Sequence, residues 1–143
     1  MSDTLEIKSA RGTGALEIAV RQTDDPARRL DQLDVILTAG GLRAAARIYN
    51  LDYGGQGDAH TLPAFLQDVA DNWRGWPGEK RWESIEGDLK LICTSMTLGN
   101  INVVVELRSY GDEPFDWEAR CKLVLESWQL DSTAAQAKKV FQV

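Results

Sequence analysis

The chain has 143 residues, enough for one domain that buries roughly two-thirds of its unfolded surface. A hydrophobic share of 43% argues against intrinsic disorder. Sixteen Lys and Arg against 22 Asp and Glu leave a formal charge of -6, which repels phosphate backbones and anionic membranes and favours a basic partner.

No apolar run approaches the roughly 20 residues that span a bilayer. The first eight residues, Met1 to Lys8, lack the basic start and apolar stretch of a secretory signal, so a cytoplasmic protein is expected. Leu5 and Ile7 alternate with Glu6 and Lys8, and after Arg11-Gly12-Thr13-Gly14 the alternation resumes at Leu16, Ile18 and Val20. Period two is the mark of a half-buried strand. Asp24-Asp25-Pro26 opens a loop. Leu33, Val35 and Leu37 begin the next strand, and Gly40-Gly41 suits a tight hairpin turn. Leu42, Ala44, Ala46 and Ile48 return on one face, although Arg43 to Arg47 is compatible with a helix as well.

A polar, glycine-rich loop runs from Asn50 to His60, and then the period changes. Leu62, Phe65, Leu66, Val69, Ala70 and Trp73 fall at helical spacing, which predicts a helix with Trp73 completing its buried stripe. Thr61 is the expected cap, Pro63 fits the first turn, and Gly75 and Pro77 end the helix. Strands follow at Trp82 to Ile85, at Leu89, Leu91 and Cys93, and at Ile101, Val103, Val105 and Leu107. Gly87-Asp88 and Gly99-Asn100 are the expected turns. A last strand places Trp117, Ala119, Cys121, Leu123 and Leu125 on one face, and a short helix capped by Asp131 or Ser132 carries Ala134, Ala137, Val140 and Phe141.

Short turns between strands imply antiparallel pairing. The expected fold is α+β: a single domain with a curved antiparallel sheet or sandwich of about seven or eight strands and two helices.

The candidate chemistry is sparse. His60 is the one histidine, and no G-x-S-x-G elbow accompanies it, so Ser/His or Cys/His catalysis is not expected. Cys93 and Cys121 read as buried thiols, with no C-x-x-C spacing for metal or redox work. Glu83 and Glu86 point to opposite faces of a straight strand, which argues against a local acid/base pair; carboxylates from distant strands stay open. The loop Asp52 to His60 lacks phosphate-loop spacing and the oxygen ladder of a calcium site. No cofactor and no metal are expected. Trp73-Arg74-Gly75-Trp76-Pro77-Gly78-Glu79-Lys80-Arg81-Trp82 is rich in the residue types that anchor interfaces, yet each tryptophan also has a structural use.

That tryptophan stretch continues through Glu83-Ser84-Ile85-Glu86-Gly87-Asp88-Leu89-Lys90-Leu91. With Phe65 to Asn72 before it and Gly99 to Arg108 after it, it resembles a family of small bacterial proteins similar to the WapI-type immunity proteins of polymorphic toxin systems. The resemblance covers residues 62 to 128. It implies a non-enzymatic module that binds protein and neutralises a toxin, with no catalytic residues to carry over. By analogy with the acidic inhibitor barstar, the expected contacts to a basic toxin domain are Asp52, Tyr53, Asp58, Asp112, Glu113 and Asp116. The competing expectation is a small-ligand binder or carboxylate-based enzyme using the concave face of the sheet. It requires that Leu91, Cys93, Val103, Val105 and Leu123 leave a pocket there.

Overall fold

The computed structural model describes residues 4–20, 32–49, 61–84, 86–96, 99–109 and 117–141. Among these residues, alternating side chains produce eight strands in two antiparallel sheets. The first contains β1 (Thr4–Lys8), β2 (Ala15–Val20), β3 (Gln32–Ala39) and β4 (Leu42–Tyr49), in chain order. Helix α1 (Leu62–Asp71) follows. The second sheet contains β5 (Glu79–Glu83), β6 (Leu89–Ser95), β7 (Asn100–Ser109) and β8 (Trp117–Glu126), and α2 (Ser127–Phe141) ends the fold. The α+β expectation holds. No helix among the described residues is long and apolar enough to cross a membrane.

The apolar phase of each strand faces one shared core. Leu5, Ile18, Leu33, Val35 and Leu37 of the first sheet are fully buried, as are Leu89, Leu91, Val105, Leu107 and Leu123 of the second. Strands β3 and β4 approach β8 and β7, while α2 packs against β1 and α1 against β5. Cys93 and Cys121 are free, and they stand on β6 and β8, on either side of β7.

Several boundaries differ from expectation for identifiable reasons. Leu42 is exposed although it shares a phase with Ala44, because it sits beside the Gly40-Gly41 turn. Strand β5 begins at Glu79, since its partner β6 extends pairing to Thr94. Helix α2 starts four residues before Asp131, directly where β8 ends. There the Gln129 side-chain Oε1 accepts a 2.8 Å bond from the backbone N–H of Glu126, so a glutamine in the first turn reaches back to the preceding residue as in a capping box.

Sheet edges carry unpaired backbone groups that invite other chains. On β8, Val124 N–H donates to Ser9 Oγ (3.0 Å) and its carbonyl accepts from Ala10 N–H (2.7 Å). On β1, α2 supplies the cover: Gln129 Nε2 donates to the Lys8 carbonyl (3.0 Å) and Gln136 Oε1 accepts from Glu6 N–H (3.5 Å).

Asp88, in the turn between β5 and β6, is buried with its Oδ1 atom lacking a hydrogen-bond partner. Burial lifts its pKa above the ordinary carboxylate value. The folded state therefore favours the protonated acid, and Asp88 costs stability as pH rises through the folded pKa. Asp88→Asn is expected to stabilise the fold by about 1 kcal/mol at neutral pH. That gain should shrink as pH falls toward the ordinary Asp value near ~4. Thermal melts of both proteins across the acid range measure it.

Candidate functional site

The three tryptophans of the 73–82 stretch have separate fates, and the end of α1 decides them. Thr61 Oγ1 accepts from Ala64 N–H (3.2 Å), Pro63 sits in the first turn, and Leu62, Phe65, Leu66, Val69 and Ala70 are buried. The helix stops at Asp71, because Asn72 leaves helical geometry and its Nδ2 donates to the Asp68 carbonyl (2.8 Å). Trp73 thus lies past the last helical residue and is 45% exposed. This corrects the expectation that it completes the core stripe. Trp76 is packed against the core with Lys80 Nζ 5.3 Å from its ring, and Lys80 also pairs with Asp68 at 2.9 Å. Trp82 is buried, at 4% exposure.

Gly75 makes the bend between them. Its φ is +124°, and a Cβ there would come within 2.9 Å of Ser95 Oγ. Gly75→Ala is expected to cost about 1–2 kcal/mol from backbone strain alone, read as a lower midpoint in thermal denaturation.

Trp73 faces Trp128. Ala70 and Trp73 of the α1 end and Ser127, Trp128 and Asp131 of α2 line a cleft of about 160 Å³. Arg74 stacks on Trp73, its Cζ 5.1 Å from the ring centre. Trp128 is 75% exposed and has a second role. It opens a groove of about 770 Å³ between β1 and α2, whose walls include Glu6, Lys8, Gln129, Ser132, Gln136 and Lys139. Met96 is also exposed, in the turn after β6. That turn borders the same region, because the Cβ positions of Gly75 and Gly99 approach Ser95 and Ser127 respectively. Large apolar side chains left in water beside such hollows are the feature that interface anchors share.

Among the described residues the core between the sheets is filled. Leu91, Cys93, Val103, Val105 and Leu123 are all buried, and the void beside them is about 10 Å³, room for one water at most and far too small for a ligand. Cys93 is a buried thiol whose pKa burial pushes up to about 12, so it stays protonated at neutral pH. Burial raises Cys121 as well. Among the described residues Glu6 and Glu17 form a carboxylate pair, standing opposite each other on β1 and β2. A hydrogen bond to Glu6, then burial, hold Glu17 above its ordinary value. The pair lies on the outer surface of the sheet, away from the filled core. No group of three potential metal ligands exists among the described residues.

The nominated contacts Asp52, Tyr53, Asp58, Asp112, Glu113 and Asp116, and the loop histidine His60, lie outside the described residues. Trp128 lies outside the expected contacts, although the sequence carries a signal for it. The buried side of α2 is Leu130, Ala134, Ala137 and Phe141, and Trp128 falls on the far side of that stripe.

No curated protein and no solved structure matches this chain. A family model matches residues 8–143, nearly the whole sequence, and on that match the chain belongs to the family of unknown function DUF6228.

Proposed function

We propose that the chain is a protein-binding module of the cytoplasm and that Trp128 anchors its partner. The observation that carries this reading is the position of Trp128, largely exposed at the junction of the Trp73 cleft and the β1–α2 groove. An indole held in water costs hydration free energy that a partner recovers, and fixing it costs little conformational entropy. The resemblance to WapI-type immunity proteins suggests a toxin domain as that partner. The charge distribution supports a basic one: stretches 50–60 and 110–116 contain Asp52, Asp58, Asp112, Glu113 and Asp116 and no Lys or Arg.

The test is co-purification with a toxin domain encoded beside this protein, followed by calorimetry at low and high salt. Tight binding that weakens with salt is expected. Failure to bind any such neighbour leaves the toxin reading without support.

A further inference from the structure

Among the described residues four strands form the sheet edges: β1 and β4 in the first sheet, β5 and β8 in the second. Side chains or loop backbone cover the β1 and β8 edges, as described above. Among the described residues no such cover is found on β4.

The hairpin geometry shows which groups β4 presents. Ala39 pairs with Leu42 across the two-residue turn, and the pair that closes a two-residue hairpin is hydrogen-bonded. Leu42, Ala44, Ala46 and Ile48 therefore bond to β3. The backbone N–H and C=O groups of Arg43, Ala45 and Arg47 point off the sheet. Their side chains share the solvent face and are exposed. Two arginines flank an alanine at alternate positions, and Ile36 lies opposite Ala45 on β3. Arg43 stands opposite Thr38, and Arg47 bonds Asp34 at 3.4 Å in an open, screened pair.

This pattern selects among strands that add to the edge. A second copy pairing antiparallel about Ala45 sets Arg43 against Arg47 of the other chain, a like-charge contact that opposes self-association. An acidic strand reverses the sign. Its carboxylates meet Arg43 and Arg47 in bidentate pairs, and a β-branched residue between them covers Ala45 and Ile36. The β5 edge is a shorter host, five residues against the eight of β4, and its Lys80 is held by Asp68 of α1 at 2.9 Å.

We propose that the β4 edge is a docking site for an extended acidic strand of a protein partner, with acid, apolar and acid at alternate positions opposite Arg43, Ala45 and Arg47. Main-chain hydrogen bonds hold such a strand, and the arginines choose it. This surface is separate from the Trp128 site, and its test does not involve Trp128.

The probes are two capped peptides, Glu-Thr-Val-Thr-Glu and Lys-Thr-Val-Thr-Lys, each flanked by two threonines and titrated into the 15N-labelled full chain. The acidic peptide is expected to shift the amides of residues 43–47 and to bind at least about tenfold tighter than the basic one. The double variant Arg43→Glu, Arg47→Glu should reverse that preference. Ala45→Pro removes an N–H that β3 does not use, so it should abolish binding while the amide spectrum stays that of a folded protein. Equal affinity for both peptides, unchanged binding by the Ala45→Pro protein, or no shift at millimolar peptide overturns the proposal.

Discussion

Trp82→Ala is expected to lose about 3–5 kcal/mol of stability, a large part of what holds a domain of this size together. Trp82 is the most buried of the three tryptophans between residues 73 and 82. It sits on β5 directly opposite Leu91 of β6, and Leu91 is fully buried. Removing the indole leaves a large hole between two strands whose other side chains are fixed by the sheet, so little of it can collapse. Trp73→Ala is the control. Trp73 is also an aromatic of this stretch, but it lies beyond the helix and is 45% exposed, so its removal should cost clearly less, about 1–2 kcal/mol. Urea denaturation of both variants, with unchanged m-values, gives the comparison. Similar losses at the two positions would mean that Trp73 is packed, contrary to the geometry described here.

This contrast marks the boundary of what the sequence makes legible. The period-two faces of β2, β6 and β7 were readable because a sheet residue's side is fixed by its parity alone. Leu89, Leu91 and Cys93, and Ile101 through Leu107, are buried as alternation requires. The helix α1 was readable for the same kind of reason. Its end was not, because Trp73 continues the apolar spacing numerically after the backbone has left the helix. What ends it is the Asn72 amide bonding back to Asp68, a local competition that hydrophobic spacing does not record. The early start of α2 was missed in a similar way. Glu126 to Gln129 sets up the capping contact before the first buried helical residue, Leu130.

Less of the candidate site was legible. The expected acidic contacts rest on charge alone and fall in stretches outside the described residues. The cleft and groove instead join elements far apart in the chain: β1, the end of α1 and the start of α2. Their meeting depends on α2 packing against both α1 and β1, and no spacing rule in the sequence specifies that. The facing pair Glu6 and Glu17 escaped for the same reason, since only the β1–β2 register brings them together.

Trp128→Ala should weaken partner binding at least about thirtyfold while leaving the fold almost untouched. On helix α2, alanine is the best helix former, so the substitution slightly favours the helix itself. The indole is mostly in water, so little packing is lost from the free protein. Stability should therefore stay within about 0.5 kcal/mol of the parent. Binding behaves differently, because a partner seated against the groove buries the ring that solvent now covers. Loss of a tryptophan anchor typically costs at least about 2 kcal/mol, roughly a thirtyfold weaker complex. Trp73→Ala should weaken the same complex less, since Arg74 already stacks on that ring and it is less exposed. The decisive measurement pairs calorimetric affinity for the toxin domain with a melting curve for each variant. If Trp128→Ala binds as the parent does, the partner does not dock at this junction. If it melts early, the tryptophan is a packing residue of α2 and the assignment of the site fails. An unchanged melt with lost affinity is the expected pair of results, and it separates recognition from folding at one side chain.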